Sequence, residues 1–462
     1  MLMLDIFFKQ KDLLSKNEHL QPVAYRSVGP VIVFVFVVVL AARLYRLTYR
    51  YAVNIFFWDQ WVFHEADLFQ KHSLWEMFRW QFGPHRLGLG PLISTLIEPR
   101  FHWNARVASF LACTIVILAT CCALWLKQRL FGNLTVFDAV IPITYLSAGQ
   151  YESLFLNCDL AHGSLPLLLI TLYCLAWTVR NVLLRYALVL AVNFVTIYTG
   201  FGLFVGVITP LVVCGDFWSN LRSRQNGWAY LVAGILVSCA SFASFFIAYT
   251  VAPAVDCFSR APFSPYLHVA YVTLMYANFW IKGVEPVAFV IGSVVVLWLL
   301  WTLLTSVWAM QRSQDVAWLR KAIPAILVAF SLLFASNAAY GRLCLGLASA
   351  QASRYTNYLA LGLVGAYLSV LTLRSVQVRS ALLMAIAVVF LATIPIRADD
   401  RYLMRSYSEI KLQWKKCYLA GGAIPECDRV AGLKIEPEPE QVLQNKLDFL
   451  KQNRLNLFAD LH

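Results

Sequence analysis

Residues 28–48 read VGPVIVFVFVVVLAARLYRLT, an apolar run whose only charged residues are two arginines near its end. A helix crosses the hydrocarbon core of a bilayer with about 20 apolar residues, so this run is long enough for one crossing. Comparable runs follow at 105–126, 135–150, 163–180, 184–199, 201–215, 228–250, 284–310, 322–340, 355–373 and 380–396. The sequence therefore predicts an all-α polytopic membrane protein with about eleven transmembrane helices.

The composition agrees with this class. Of 462 residues, 60% are hydrophobic and 14% are charged, and the mean hydropathy is +0.64. These values exclude disordered, collagen-like and ordinary soluble globular chains. The net charge of +13 comes from 38 Lys and Arg against 25 Asp and Glu. In a membrane protein such an excess follows from the positive-inside rule, so we expect no nucleic-acid partner.

The charges of the short connections predict the orientation. Connections that begin near 127, 180, 216, 311 and 374 hold eleven Lys and Arg, whereas those near 151, 200, 251 and 341 hold four. The positive-inside rule then predicts a cytoplasmic N-terminus and an outer C-terminus. The predicted parts are a cytoplasmic segment (1–27), a transmembrane bundle with a long first outer loop (28–396, with the loop at 49–104) and an outer tail (397–462).

Three local features qualify this organisation. The runs at 135–150 and 184–215 are short, and Gly200 and Gly202 indicate either a tight hairpin or a broken helix. In the polar tail, Cys417 and Cys427 suit a disulfide if the tail faces an oxidising compartment. The tail also holds an amphipathic helix within 433–458, which we interpret as a cap over the outer mouth, with acceptor recognition as the alternative.

The first outer loop carries the candidate catalytic acids. Residues 56–70, FFWDQWVFHEADLFQ, place Asp59, Glu65 and Asp67 among aromatic side chains. A carboxylate near the membrane costs free energy unless it has a partner or a task, and a positioned carboxylate can act as a general base. We predict Asp59 as that base, with Glu65 and Asp67 as further catalytic candidates. Trp58 and Trp61 suit an interfacial aromatic belt or a surface that binds sugar.

Two further outer stretches suit an anionic ligand. In WQFGPHRLGLGP (80–91), a turn at Gly83-Pro84 precedes His85 and Arg86. In NAAYGRLCLGLASAQASRYTNY (337–358), Arg342 and the Arg354-Tyr355 pair flank a stretch without acids. The arginine fork donates two hydrogen bonds to phosphate while carrying charge, although a lone arginine at a membrane end commonly snorkels. We therefore predict that His85, Arg86, Arg342, Arg354 and Tyr355 bind a donor phosphate.

A third outer stretch, LSAGQYESLFLNCDLAHG (146–163), interrupts two apolar runs with polar residues. Gln150 and Glu152 are the predicted contacts to a sugar or an acceptor. Acids in one outer loop and arginines in another suit a phosphate-linked lipid whose head projects outward.

The motifs WDQW (58–61), PHR (84–86), GQYES (149–153), and GR followed by ASRY (341–355) resemble those of type C membrane glycosyltransferases. That superfamily includes protein O-mannosyltransferases, aminoarabinose transferases of lipid A and O-antigen glucosylating enzymes, and the likeness covers roughly residues 28–400. It implies a bundle with amphipathic helices in the first outer loop and a polyprenyl-phosphate sugar as donor. It also implies an envelope glycan or lipid acceptor, such as lipopolysaccharide, on the periplasmic face of a bacterial cytoplasmic membrane.

The resemblance assigns Asp59 the role of catalytic base or of acceptor positioning. Many members carry adjacent acids at the loop start, whereas Gln60 follows Asp59 here. We therefore expect no obligatory cofactor and no metal, with Glu65 or Asp67 as the second carboxylate if a divalent metal takes part.

Two other functions remain open. A transporter or flippase for a lipid-linked or anionic substrate also uses broken helices and Gly-rich hairpins such as YTGFGLFVG (198–206). An oligosaccharide polymerase or ligase also works on polyprenyl carriers. Most of the ionisable residues cluster at the outer rim and few acids lie within the spans, which favours the transferase.

Overall fold

The computed structural model describes residues 23–64, 73–251 and 264–459. It is 76% helical, and the sheet in the described ranges is one hairpin, Gln81–Phe82 (β1) with His85–Arg86 (β2). The helices are α1 Val23–Tyr51, α2 Gln60–Phe63, α3 Leu74–Phe78, α4 Leu89–Ile97, α5 Ala105–Phe131, α6 Val140–Tyr145, α7 Ser164–Trp177, α8 Val182–Ile197, α9 Leu203–Asp216, α10 Gly227–Ser244, α11 Pro265–Ala277, α12 Pro286–Met310, α13 Asp315–Arg342, α14 Thr356–Val370, α15 Val376–Leu391, α16 Ala398–Leu419, α17 Ile424–Ala431 and α18 Glu440–Gln452.

Six of the described helices are long and apolar enough to cross a membrane by length and composition: α1, α5, α9 with the turn that follows it, α10, α12 and α13. The surface of α12 shows why this points to lipid. Its exposed side chains Val290, Val294, Leu297, Trp301 and Leu304 recur every three or four residues. A continuous apolar face of this kind is typical of contact with a membrane and not with water. The prediction of an all-α membrane protein is confirmed at this level.

The bundle has two distinct ends. One end, which we call the basic end, gathers the short turns at 132–135, 178–181, 222–226, 311–314 and 371–375. Contacts between them fix this grouping: Arg129 Nη2 donates to Thr178 O (2.9 Å), and Arg320 Nε donates to Leu130 O (2.6 Å). The connections after α5 and α7 therefore lie beside each other and beside the start of α13.

The opposite end carries a cap built from two distant parts of the chain. Residues 53–61 and 103–105 of the chain between α1 and α5 share one hydrophobic core with residues 407–458 of the tail. Trp61, Trp414 and Leu447 are all buried in that core, and α18 contributes its apolar face to it. The amphipathic tail helix is thus confirmed, and Cys417 and Cys427 form the disulfide that the sequence permits. We call these residues the cap and this end the cap end.

The short apolar segments 184–215 and 135–150 have different structures. Between α8 and α9 the chain makes a tight hairpin, in which a Cβ on Gly202 would lie 1.7 Å from Thr196 O, so only glycine fits. The 135–150 segment forms only the six-residue α6 between 3-10 turns. Helix α11, with 13 residues, lies in a stretch that the sequence analysis assigned to a connection.

Candidate functional site

The chain between α6 and α7 stays inside the bundle without continuing as an α-helix. We call residues 146–163 the irregular segment. It includes a π-helical turn at Glu152–Leu156 and a loop closed by Asp159, whose Oδ1 accepts the N–H groups of Ala161 (2.8 Å) and His162 (3.2 Å). Such turns inside helical proteins frequently mark functional sites. Side chains from three other parts of the cap end converge on this segment.

Asp59 begins α2 and faces the irregular segment. Its Oδ2 lies 3.5 Å from the Asn157 amide nitrogen, and its side chain has no closer hydrogen-bond partner among the described residues. The preceding residue, Trp58, has a φ of 51°, which is strained for a bulky side chain, and its N–H donates to Ile435 O at 2.8 Å. The tail of the cap therefore helps to hold a half-buried carboxylate that is available to a ligand.

Arg354 reaches the same segment from the turn before α14. Its Nη1 lies 3.4 Å from Glu152 Oε1, and its guanidinium carbon lies 5.8 Å from the centre of the Tyr355 ring. Burial alone lowers the pKa of Arg354, but the charges of Glu152, Tyr355 and Asp59 outweigh it and raise that pKa above its ordinary value. The Glu152 N–H also donates to Ser353 Oγ (3.1 Å). An always-charged guanidinium therefore interacts with two carboxylates.

A histidine pair lies beside this group. His162 Nδ1 pairs with Asp159 Oδ2, and the rings of His162 and His85 meet edge to face with centres 5.0 Å apart. His85 Nδ1 donates to Gly200 O (3.0 Å). Burial first, then the charges of His162 and Arg342, lower the pKa of His85 to about 3, so its ring is neutral at physiological pH. Because Nδ1 carries the only ring proton, Nε2 of neutral His85 is a hydrogen-bond acceptor, so this tautomer offers phosphate neither a donor nor a charge.

Arg86 has a different environment from Arg354. Its guanidinium donates to three backbone carbonyls, those of Phe245 (3.1 Å), Ile247 (2.6 Å) and Arg79. These bonds tie the β-hairpin to the chain that follows α10. The guanidinium of Arg86 is therefore engaged by backbone carbonyls, whereas that of Arg354 lies beside a carboxylate.

The remaining predicted contacts are placed as follows. Trp61 is buried in the cap core, whereas Trp58 is half-buried and stacks on Phe57 with ring centres 5.3 Å apart. Gln150 is buried and donates to Tyr145 O (2.6 Å). Glu65 and Asp67 lie outside the described residues. Of the predicted residues, Asp59, Glu152 and Arg354 are therefore the ones that the structure groups most closely.

Unsatisfied polar atoms mark the same region. The side-chain oxygens Gln150 Oε1, Asn157 Oδ1 and Asn357 Oδ1 are buried and accept no hydrogen bond from a described residue. Buried acceptors without partners are rare because each costs roughly 1–3 kcal/mol. A bound hydroxyl-rich molecule or ordered water would satisfy them.

The sequence analysis missed two buried ionisable residues of the cap. Lys411 Nζ donates to Leu156 O (2.9 Å) and lies 5.7 Å from the centre of the Phe57 ring; burial lowers its pKa to about 7. Glu436 is buried in the link before α18, and burial, with smaller contributions from Glu438 and Asp59, raises its pKa to about 7. Their flanking sequence resembles solvated tail, so no periodic signal indicates their burial.

A buried pair supports the helix that carries Asp59. His64 Nδ1 bonds to Gln60 O (2.7 Å), and His64 Nε2 pairs with the Glu98 carboxylate. Ser94 Oγ donates to the same carboxylate (2.8 Å). Burial alone raises the pKa of Glu98, but the charge and hydrogen bond of His64 outweigh it and leave that pKa below its ordinary value. The pair joins α2 to the turn before α5.

Within the described residues, no group of three or more His, Cys, Asp or Glu side chains is arranged to hold a metal ion. Comparisons with protein-family models, with curated proteins and with solved structures give no match to this chain.

Proposed function

We propose that this protein is a membrane glycosyltransferase that moves a sugar from a polyprenyl-phosphate donor to an envelope glycan or lipid acceptor. One observation supports this most: Arg354 interacts with the Glu152 and Asp59 carboxylates above a buried polar segment. Transfer from a sugar phosphodiester needs a cation for the departing phosphate and a carboxylate for the incoming hydroxyl. The cap end offers both within one group of side chains.

The proposed step uses these groups as follows. The acceptor hydroxyl attacks the anomeric carbon of the sugar while Asp59 takes its proton, and a glycosidic bond forms. The bond from that carbon to the phosphate oxygen breaks, and its electron pair leaves with the polyprenyl phosphate. Arg354 and Arg342 stabilise the negative charge on that oxygen. Glu152 positions Arg354, and Trp58 provides an aromatic face for the sugar.

We also propose eleven crossings with the N-terminus in the cytoplasm and the cap in the periplasm of a bacterial cytoplasmic membrane. The six long helices, the shorter α7, α8, α14 and α15, and the 136–157 stretch account for these crossings. The arginine and lysine side chains of the turns at the basic end suit the cytoplasmic side. The Cys417–Cys427 disulfide suits the periplasmic side, and Cys344 at the cap end is also disulfide-bonded.

The test is sugar transfer by the purified protein in nanodiscs, with synthetic radiolabelled polyprenyl-phosphate sugars and envelope acceptors. Asp59→Asn is compared with Asp448→Asn, which changes an exposed carboxylate of α18. We expect transfer to fall by about 10²-fold or more in Asp59→Asn and to persist in Asp448→Asn. Wild-type protein that transfers sugar from none of the donors would refute the proposal. Equal activity of Asp59→Asn and wild type would remove Asp59 as base.

A transporter is the alternative that one observation favours, because the irregular segment places unsatisfied polar side chains inside a helical bundle. Proteoliposomes loaded with the same lipid-linked sugars distinguish the two functions. Movement of the intact donor across the bilayer without transfer would support the transporter or flippase. Activity only with diphosphate-linked oligosaccharides would support the polymerase or ligase.

A further inference from the structure

A second basic site is lined by residues that take no part in the proposed reaction. A cavity of about 380 Å³ opens between the cap end of α1 and the first turns of α16. Five arginines line it: Arg43, Arg46, Arg50, Arg401 and Arg405. The two helices contribute three and two of these residues, so the site exists only when the tail packs against α1. We call this cavity the arginine pocket.

The charge of the pocket is largely uncompensated. Arg405 Nε bonds to Glu409 Oε1 at 2.7 Å, which neutralises one guanidinium. Arg46 and Arg401 are exposed and form no ion pair with a described residue. Arg50 lies over the Tyr51 ring, 5.3 Å from its centre, and keeps its charge. The positive charges around the cavity repel each other. An anion bound there would offset this repulsion and would be held by attraction to the guanidinium groups.

Arg43 adds a fixed donor to the pocket. Its Nη1 donates to Ile394 O (2.5 Å) and its Nη2 donates to Leu146 O (3.2 Å), which immobilises the guanidinium. Its buried Nε has no acceptor among the described residues. The residue therefore lines the pocket with a preorganised charge and an unsatisfied N–H group.

The surface of α1 indicates where the anion comes from. The exposed residues Val31, Val35 and Val38 form an apolar stripe on one face of α1, and Arg46 continues that stripe toward the cap end. A lipid that places its chains along the stripe would bring its head to the arginines. Arginine next to apolar surface at a membrane boundary is the arrangement that binds anionic lipid heads.

We propose that the arginine pocket binds the phosphate head of an anionic lipid whose chains lie along α1. Phosphate is favoured because several guanidinium groups can each donate two hydrogen bonds to its oxygens. The proposal does not depend on the transferase reaction, since binding alone is predicted. It predicts selectivity for a lipid phosphate over both a zwitterionic lipid and free inorganic phosphate.

The experiment uses the full-length protein and native mass spectrometry with phosphatidic acid, phosphatidylcholine and inorganic phosphate as separate probes. The pocket variant is Arg46→Gln with Arg401→Gln, and the control is Arg222→Gln with Arg312→Gln at the basic end, which removes the same charge. We expect affinity for phosphatidic acid to fall by about tenfold or more in the pocket variant and to be unchanged in the control. Both variants alter side chains that stack on aromatic rings or face solvent, so folding should persist.

Three results would overturn the proposal. One is equal loss of phosphatidic acid binding in the two double variants, which would mean that only net charge matters. Another is wild-type affinity in the pocket variant. The third is inorganic phosphate binding as tightly as phosphatidic acid, which would make the pocket a site for free anions.

Discussion

Arg354 Nη1 lies 3.4 Å from Glu152 Oε1, although the two residues are about 200 positions apart in the chain. The contact docks the turn before α14 onto the irregular segment, where Ser353 Oγ also accepts the Glu152 N–H group (3.1 Å). Because Asp59 also interacts with Arg354 electrostatically, three separate parts of the chain meet around one guanidinium. If the proposed reaction takes place, sugar transfer should be highly sensitive to substitution of Arg354.

Substitution of Arg354 tests the charge and the geometry separately. Arg354→Gln removes the cation, and we expect kcat/KM for sugar transfer to fall by about 10²–10³-fold. Arg354→Lys keeps the charge but loses the planar fork, so we expect an intermediate loss of about tenfold. The measurement is steady-state transfer in nanodiscs at saturating acceptor.

The matched control is Arg312→Gln at the basic end, whose guanidinium lies 4.2 Å from the centre of the Trp308 ring. We expect it to retain activity within about twofold, as for surface substitutions generally. Comparable losses in Arg312→Gln and Arg354→Gln would show that net charge, and not the position of Arg354, governs activity.

Glu98→Gln tests whether the buried His64–Glu98 pair stabilises α2. It removes the charged partner of buried His64, and breaking a buried pair costs about 3–5 kcal/mol, so the melting temperature should fall by about 10 °C. Since the pKa of Glu98 lies below its ordinary value of 4.5, the pair stabilises the fold above that pH, and the contribution is lost as the pH falls further. The difference in melting temperature between wild type and Glu98→Gln should therefore become smaller as the pH falls.

The exposed pair Arg405–Glu409 supplies the control for this prediction. Glu409→Gln should lower the melting temperature by less than about 2 °C, because exposed ion pairs contribute little. Melting temperatures of Glu98→Gln and Glu409→Gln that fall equally would mean that His64 and Glu98 do not support the cap.

The Cys417–Cys427 disulfide tests the proposed orientation. We expect both thiols to react with a membrane-impermeant maleimide from the outer side only after reduction. The bond closes a ten-residue separation, so Cys417→Ser with Cys427→Ser should destabilise the cap by about 2–3 kcal/mol. If the reduced thiols react with the maleimide only after the inner face of the membrane is made accessible, the cap lies on the cytoplasmic side.

The sequence predicts those parts of the site that depend on local pattern. Apolar periodicity indicates most helices, Gly83 and Pro84 indicate the hairpin turn, and the WDQW motif draws attention to Asp59. What it does not predict is which distant groups become partners. Arg86 carries the same charge as Arg354, yet it bonds to carbonyls of the chain after α10, and only the folded arrangement decides this.

The tail shows the same limit more clearly. Lys411 belongs to a helix with mostly polar side chains, and Glu436 belongs to a Pro-rich link, so each resembles a solvated residue. Both are buried because the first loop and the tail form one core, which is a contact across more than 300 positions. The arginine pocket depends on the same long-range packing of α16 against α1.

Lys411 should make the stability of the cap rise above neutral pH. Burial lowers its pKa from 10.5 to about 7, so between pH 7 and 10.5 the unfolded chain binds a proton that the folded protein does not. Stability therefore increases with pH in that range. We expect the wild-type melting temperature to rise from pH 7 to 9 relative to that of Lys411→Met, which lacks the titrating group. Parallel temperature profiles for the two proteins would contradict the burial of a titrating Lys411.

Glu436 should produce the opposite trend at lower pH. Its pKa is raised from 4.5 to about 7, so between those values the folded protein holds a proton that the unfolded chain releases. The contribution of Glu436 to stability is then greatest below pH 4.5 and falls as the pH rises to about 7. With allowance for partial solvent screening, the loss is about 1–2 kcal/mol, or about 2–6 °C in melting temperature. Glu436→Gln should remove this dependence between pH 5 and 7, where Lys411 stays mostly protonated. If the melting temperatures of wild type and Glu436→Gln decline equally over that range, another group is responsible and Glu436 is ionised throughout.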